Sequence, residues 1–235
     1  MKRLLIASTS TLHGGGYLEY LMPEIEKLFE NAKQIIFVPF ARPGGISHDD
    51  YTQRVREAFS AIGKEVRGLH EFDDPKKAIR EAEGIFTGGG NTFLLVRQLY
   101  ELELMELMAK TVNDGTPYLG SSAGSNICGL TMQTTNDMPI VFPPDFTTMG
   151  LIPMNLNPHY LDADLQSKHM GETRETRIRE FHQFNSIPVL GLREGSWLDV
   201  NGEKIILRGR FSARLFRKGI DPEELASGTD LAFIK

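Results

Sequence analysis

Five small residues follow an apolar run near the middle of the chain, at Gly120-Ser121-Ser122-Ala123-Gly124. They fit the pattern G-x-S-x-G, in which a serine on a sharp strand-to-helix turn projects its hydroxyl from the sheet. The positions two before and two after the serine crowd this turn, so both need to be glycine. Ser122 is flanked by glycine at both positions, and we predict that it is a nucleophile. The alternative is a small-residue turn that only packs a helix closely against a strand.

A nucleophilic serine requires a base, which in most such sites is a histidine. The chain contains six histidines, namely His13, His48, His70, His159, His169 and His182. His182 falls in a predicted helix and His70 at a strand end, where structural or surface roles are more common. His159 lies in the proline-containing loop Asn157-Pro158-His159-Tyr160 and is the best candidate for the base. Two loop acids could orient it, Asp137 and Glu194, and the residues leave this choice open.

Backbone donors are the second requirement of acyl-transfer chemistry, because they stabilise the oxyanion that forms on attack. The N–H of Ala123, directly after the candidate nucleophile, is the first expected donor. Gly89 and Gly90, in the run Gly88-Gly89-Gly90, are expected to supply the second, since missing side chains let the backbone approach. A phosphate-binding loop is the alternative, but the run lacks the Gly-Lys-Ser/Thr ending of a P-loop.

Alternating apolar and amphipathic segments are the elements that must position these residues. Apolar runs predict strands at 3–8, 34–40, 65–69, 84–87, 116–120 and 188–192, and helical patterns lie at 17–30, 50–62, 92–112 and 172–185. Strands apolar on both faces and alternating with helices predict an α/β fold with a doubly wound, mostly parallel sheet flanked by helices. A hairpin signal at Asn201-Gly202 predicts an antiparallel β-hairpin over 197–207 at the edge of that sheet. The candidate residues then lie where strands end, on one rim of the sheet.

Composition limits the remaining function classes. No linker divides the 235 residues, so we expect one domain over 1–235. The net charge of −5 argues against a nucleic-acid or anionic-membrane partner, and no apolar stretch reaches the length of a membrane span. A single cysteine, Cys128, allows neither an internal disulfide nor a multi-cysteine zinc site. We expect a cytoplasmic protein with no metal or other cofactor.

Several segments together resemble the peptidase E family of serine peptidases. They are GSSAGSN, TTNDMPI, NPHY, HMGETRETRI and FTGGGNTF, which keep the family's order along essentially the whole chain. The resemblance implies a fold related to class I glutamine amidotransferases and a triad in the order Ser, Asp, His. Carried over by motif, Ser122 is the nucleophile, Asp137 the orienting acid and His159 the base, with Glu194 as the alternative acid. The implied activity is hydrolysis of dipeptides with an amino-terminal aspartate.

An aspartyl side chain requires a cation, and arginine binds carboxylates bidentately. Arg174 and Arg177 share one face of a predicted helix, and we favour Arg174 because it lies nearer the rim. Glu194 is a candidate partner for the substrate's ammonium group if it is not the triad acid. Three alternatives remain: a cyanophycinase-like hydrolase of β-aspartyl peptides, a non-catalytic small-molecule binder on the same fold, and a thiol enzyme using Cys128.

Overall fold

The computed structural model describes residues 1–164, 166 and 170–234. The strands of this part of the chain are β1 (Arg3–Ala7), β2 (Gln34–Val38), β3 (Glu65–Gly68), β4 (Ile85–Thr87), β5 (Tyr118–Ser121), β6 (Asn155–Pro158), β7 (Val189–Leu192), β8 (Ser196–Asn201), β9 (Lys204–Gly209), β10 (Ala213–Arg217) and β11 (Ile220–Leu225). Its α-helices are α1 (Met22–Leu28), α2 (His48–Ser60), α3 (Pro75–Arg80), α4 (Thr92–Glu101), α5 (Met105–Asn113), α6 (Ala123–Asn126) and α7 (Arg174–Phe184). Among the described helices, none has the length and apolar character needed to cross a membrane.

A seven-stranded sheet forms the centre of the fold, in the order β3-β2-β4-β5-β1-β8-β9. Its first five strands are parallel. The four strands β2, β4, β5 and β1 are buried on both faces, as their apolar sequences require, whereas the edge strand β3 exposes Glu65 and Arg67. On β1, Leu4 packs in the cluster that contains residues of α3, α4 and α5, whereas Leu5 packs in the cluster that contains residues of α1 and α2. The predicted mostly parallel sheet with helices on both faces is confirmed.

The predicted hairpin is also present, as β8 and β9. Strand β8 pairs antiparallel with β1, and β9 forms the edge of the sheet. Gly202 takes a φ of 63° in the connecting turn, which glycine adopts without steric cost.

Strand 188–192 was expected in the parallel sheet, and this expectation is wrong. As β7 it belongs to a second, four-stranded sheet in the order β11-β10-β7-β6. The place next to β1 is taken by β8, so β7 pairs instead with β6 in parallel and with β10 antiparallel. Leu190 and Leu192 lie in the same buried cluster as Leu4 of the large sheet, so the strand is as apolar as a parallel-sheet strand.

The long helix predicted over 92–112 is two helices, α4 and α5. Glu103 takes a left-handed φ of 54°, with hydrogen bonds from Leu104 N to Leu99 O at 2.7 Å and from Glu103 N to Tyr100 O at 2.9 Å. These two bonds are those of a Schellman motif, which ends a helix. Because glycine is the usual residue at such a position, the glutamate gave no sequence signal for the break.

Candidate active site

Ser122 stands between strand β5 and the single-turn helix α6, on a strained backbone. Its φ and ψ are 55° and −110°, a combination that costs a residue other than glycine about 1–3 kcal/mol. The Ser122 N–H donates to Ala7 O at 3.2 Å, and the Ser122 carbonyl accepts from Asn126 N at 2.9 Å. The turn is therefore held from the neighbouring strand β1 and from the helix that follows.

The two glycines of the motif allow close contacts that a side chain would prevent. A Cβ at Gly120 would lie 2.5 Å from Gly124 O, and a Cβ at Gly124 would lie 2.1 Å from Thr87 O. Both contacts involve backbone atoms, so they cannot be relieved by a side-chain rotation. The sharp turn that presents Ser122 therefore depends on glycine at both positions.

Ser122, His159 and Glu194 form a hydrogen-bonded chain. His159 Nε2 lies 2.9 Å from Ser122 Oγ, and His159 Nδ1 lies 2.6 Å from Glu194 Oε1. The side chains of His159 and Glu194 are 39% and 51% exposed, so the chain is open to solvent. This arrangement has the geometry in which an imidazole accepts the serine proton while a carboxylate fixes the ring's orientation.

The neighbouring serines face elsewhere. Ser125 Oγ donates to Ala7 O at 2.6 Å, and Ser121 is fully buried in strand β5. Neither hydroxyl has a hydrogen bond to a histidine in the described part of the chain. Of these three serines, Ser122 is therefore the one placed for attack on a substrate.

Asp137 does not occupy the position of the orienting acid, which corrects the residue carried over by motif. Its Oδ2 accepts from Thr92 N at 2.7 Å, from Thr92 Oγ1 at 2.6 Å and from Thr135 Oγ1 at 3.0 Å. These donors fix the carboxylate at the amino end of helix α4, where the helix dipole favours a negative charge. Glu194, the alternative acid of the sequence analysis, is the residue in contact with His159.

None of the other described histidines has a hydrogen bond to Ser122, His159 or Glu194. His182 bonds Ile187 O through Nε2, and His70 bonds Asp49 through Nε2. Asp49, His70 and Glu71 lie close enough to bind a cation together, but the Glu71 carboxylate already accepts from Arg56 at 2.5 Å and from Gly68 N at 3.1 Å. His169 lies outside the described residues.

The glycine loop after β4 lies beside the nucleophile. A Cβ at Gly89 would lie 3.0 Å from Ser122 Cβ, and a Cβ at Gly90 would lie 2.2 Å from Ala41 O. The N–H of Gly89 donates to the hydroxyl of buried Tyr51 at 3.0 Å, which leaves Gly90 the better placed of the two for an oxyanion. Ala123 begins α6, so its N–H has no partner within the helix.

A phosphate-binding role for this loop conflicts with the structure of the following helix end. The first N–H groups of α4 are already engaged, Thr92 N by the Asp137 carboxylate and Leu94 N by Asn91 Oδ1 at 3.1 Å. A phosphate at this end of α4 would be repelled by the Asp137 carboxylate, which already accepts the hydrogen bond of Thr92 N. The thiol alternative is also disfavoured, because complete burial raises the pKa of Cys128 far above its ordinary value.

Arg174, Arg177 and a third arginine of the region, Arg193, differ in how they are paired. Arg193 binds Asp162 and Glu224 at 2.7–3.0 Å, and these hydrogen bonds raise its pKa. Arg177 is more than half exposed and lies 3.8 Å from Glu172. Arg174 begins helix α7, and partial burial and nearby Arg177 lower its pKa, whereas Asp137 acts in the opposite direction.

Arg174, His159 and Glu194 line one cavity. This cavity has a volume of about 320 Å³, and its lining includes His159, Glu194, Arg174 and Phe211. Among the described residues the guanidinium of Arg174 has neither an ion pair nor a hydrogen bond, whereas Arg193 in the same cavity is bound by two carboxylates. The structure therefore brings one available cation next to the His159–Glu194 pair.

Comparison with known proteins identifies the family. The model of "Peptidase family S51" matches residues 4–208, and the chain belongs to this family. It is 51% identical to "Peptidase E" of Streptomyces coelicolor over 97% of this chain and 93% of that protein. It is 48% identical to "Probable alpha-aspartyl dipeptidase" of Drosophila melanogaster over 99% of this chain and 97% of that protein. The structure of a peptidase from an acI-B1 Actinobacterium has a TM-score of 0.70 at 16% identity, covering 98% of this chain and 96% of that one.

These relatives confirm the resemblance to peptidase E expected from the motifs.

The sequence pattern did not reveal two residues at the site. Tyr51 holds the glycine loop through its hydroxyl, and Ser8 contacts the backbone of His159. Ser8 did carry a signal, because it is a polar residue at the end of an apolar strand. Tyr51 carried none, since an aromatic residue in an amphipathic helix reads as a core position.

The close approach of Gly124 to strand β4 can be tested by adding one methyl group. Gly124→Ala should destabilise the protein by about 1–3 kcal/mol, because the new Cβ forces backbone atoms apart. This corresponds to a fall in Tm of about 2–12 °C for a chain of this size, measured by thermal unfolding. Gly44→Ala is the matched control, since a Cβ there has open space, and its Tm should stay within about 1 °C. Equal Tm values for both variants would contradict the proposed packing of the turn.

The geometry also separates the two acids. Glu194→Gln should lower kcat by about 10⁴, because the amide stabilises neither the required tautomer nor the imidazolium. Asp137→Asn should act mainly on KM, since this carboxylate does not contact His159. Steady-state kinetics of both variants with Asp-Leu provide the measurement. A larger kcat loss for Asp137→Asn than for Glu194→Gln would reverse the assignment of the acid.

Proposed function

We propose that this protein is a serine peptidase that hydrolyses dipeptides with an amino-terminal aspartate. The observation that supports this proposal most directly is the chain of contacts from Ser122 Oγ through His159 to Glu194, at 2.9 and 2.6 Å. The relatives named peptidase E and alpha-aspartyl dipeptidase, which match nearly the whole chain, point to the same reaction.

In the proposed mechanism, His159 Nε2 accepts the proton of Ser122 Oγ as the oxygen attacks the scissile carbonyl. The N–H groups of Ala123 and Gly90 stabilise the oxyanion of the tetrahedral intermediate. His159 then donates the proton to the leaving amine, which frees the second residue and leaves an aspartyl ester on Ser122. Water, deprotonated by His159, hydrolyses this ester. Glu194 remains ionised and stabilises the imidazolium in both steps.

Substrate selection is assigned to two charged groups. Arg174 would bind the aspartyl side chain, because its guanidinium lines the cavity beside His159 and has no carboxylate partner among the described residues. Asp137 would bind the α-ammonium group, since it carries a fixed negative charge close enough to Arg174 to affect that residue's pKa. Glu194 was the earlier candidate for this contact, but it is engaged by His159.

The proposal also covers the cellular location, the domain organisation and the partners of the enzyme. We place the activity in the cytoplasm, where the single buried thiol of Cys128 would stay reduced, and assign it to one domain over 1–235. The second sheet supports a single domain, because Leu156, Leu190 and Leu215 belong to the same buried cluster as Leu4 of the large sheet. The substrate is a small peptide, and the net charge of −5 argues against nucleic acid as a partner.

Replacement of the nucleophile tests the reaction class. Ser122→Ala should lower kcat for Asp-Leu by about 10⁶ while leaving the thermal unfolding curve close to that of the native protein. Ser125→Ala is the control for loss of a nearby serine hydroxyl and should retain measurable turnover. If Ser122→Ala keeps more than about a tenth of the native rate, far above that expectation, Ser122 is not the nucleophile.

Replacement of the proposed aspartate-binding cation tests the substrate. The native protein should cleave Asp-Leu at least about 100-fold better than Asn-Leu in kcat/KM, because the amide leaves the guanidinium unpaired. Arg174→Met should lower kcat/KM for Asp-Leu and narrow its advantage over Asn-Leu. Arg177→Met is the matched control on the same helix and should preserve the preference. If Arg174→Met lowers kcat/KM for both substrates in proportion, the aspartate pocket lies elsewhere. Preferential cleavage of β-aspartyl dipeptides by the native protein would favour the cyanophycinase-like alternative.

A further inference from the structure

Ser8 links the three segments that carry the proposed triad. It follows strand β1 directly and is fully buried. Its hydroxyl donates to Leu192 O at 2.7 Å and accepts the N–H of His159 at 2.9 Å. The preceding residue, Ala7, accepts the N–H of Ser122 at 3.2 Å through its carbonyl. The end of β1 is therefore bonded to the backbone of the nucleophile, to that of the base and to the strand that leads to the acid.

Each bond of the Ser8 hydroxyl acts on one part of the site. His159 has a left-handed φ of 54°, which a side chain with a Cβ rarely adopts, so the surrounding bonds must hold it. Leu192 ends strand β7 two residues before Glu194, and its carbonyl also accepts from Tyr160 N at 3.1 Å. Without the hydroxyl, Leu192 O keeps Tyr160 as a donor, but His159 N–H loses its acceptor.

We propose that Ser8 is a positioning residue, whose hydroxyl holds the His159 backbone in the conformation that aims Nε2 at Ser122. This inference rests on the proposed roles of Ser122 and His159. Ser8 itself touches neither the reacting oxygen nor the imidazole in the structure. Its removal should therefore affect the alignment of the proton transfer and leave the substrate contacts at Arg174 and Asp137 in place.

The test separates chemistry from binding. Ser8→Ala should lower kcat for Asp-Leu by about 100-fold, because a displacement of about 1 Å in a catalytic group has an effect of that size. The dissociation constant of Asp-Leu, measured by calorimetry in a Ser122→Ala background with and without Ser8→Ala, should change by less than about twofold, since the contacts with the substrate are unaltered. A loss that appears in the dissociation constant to the same extent as in kcat/KM would overturn the inference.

Thr148→Val is the matched control for the loss of a buried hydroxyl. Thr148 Oγ1 donates to Gly129 O at 2.7 Å, and this residue contacts none of the three triad residues. We expect a lower Tm than that of the native protein, with kcat within about twofold, as for a substitution that acts on stability alone. If Ser8→Ala has no larger effect on kcat than Thr148→Val, Ser8 is only structural.

Two further measurements keep the inference separate from the proposed function. If Ser8→Ala does not fold, Ser8→Cys retains the side-chain shape with a weaker hydrogen bond and should show the same loss in kcat with unchanged binding. If the native protein reacts at Ser122 with a phosphonofluoridate but does not cleave Asp-Leu, the proposed substrate is wrong, and the labelling rate replaces kcat. That rate should fall in Ser8→Ala, and an unchanged rate would overturn the inference. A native protein that shows neither reaction would contradict the triad and the role of Ser8 together.

Discussion

The strained backbone of Ser122 is the constraint on which the site depends. A serine with a φ of 55° and a ψ of −110° is costly and persists only where its surroundings leave no alternative. Here Gly124 packs against the carbonyl of Thr87, and the Ser122 N–H is bonded to Ala7, so strands β4 and β1 fix the turn from both sides. As a consequence, the hydroxyl leaves the sheet, and the N–H of Ala123 lies next to it at the start of α6.

The proposed base and acid follow strands of the second sheet, and the pairing of these strands explains which acid contacts His159. Strands β6 and β7 are parallel neighbours, with Pro158 opposite Leu192. His159 follows Pro158 directly, and Glu194 follows Leu192 by two residues, so both leave the same edge side by side. Asp137 precedes β6 by many residues and is bound to the start of α4. The large sheet therefore supplies the proposed nucleophile and the glycine loop, and the small sheet supplies the proposed proton-transfer partners.

This division shows how far the sequence alone could predict the site. The strained turn at Ser122 depends on residues within two positions of it, so the local pattern was sufficient to predict the turn, and the role of Ser122 as nucleophile stays a prediction. The choice of acid depends on the pairing of β6 with β7, and β6 has the polar sequence Asn155-Leu156-Asn157-Pro158, which is typical of a loop. Its buried asparagines are bonded by other segments: Asn157 Nδ2 donates to Thr134 O at 2.7 Å, and Asn155 Oδ1 accepts from Thr131 N at 2.8 Å. Such long-range hydrogen bonds leave no periodic signal.

The same reasoning applies to the helices and strands of the fold. The parallel strands and the hairpin were predictable because continuous apolar runs and the Asn201-Gly202 turn are local features. The break between α4 and α5 was not, since Glu103 adopts the left-handed conformation that glycine usually supplies. Strand β7 was recognised as a strand but placed in the wrong sheet, because burial on both faces is common to both environments. For β7 the missing information was a tertiary contact, whereas for the helix break it was a local left-handed conformation at a residue that rarely adopts it.

The arginines of the cavity show how folding prepares the site for a charged substrate. Arg193 is bound by Asp162 and Glu224, and the resulting rise in its pKa shows that its charge is already compensated within the protein. The pKa of Arg174 is affected in the opposite direction, because partial burial and Arg177 lower it and the smaller effect of Asp137 opposes them. Folding already removes part of the water around this guanidinium. The free energy of that desolvation is therefore part of folding and not of ligand binding. In the proposed binding mode, an incoming carboxylate therefore gains a partly desolvated partner at the amino end of α7, where the helix dipole adds to the attraction. A neutral side chain gains neither the contact with the guanidinium charge nor the attraction of the helix dipole. The proposed preference for an acidic residue therefore depends on which arginine lacks a carboxylate partner, and not on the number of arginines.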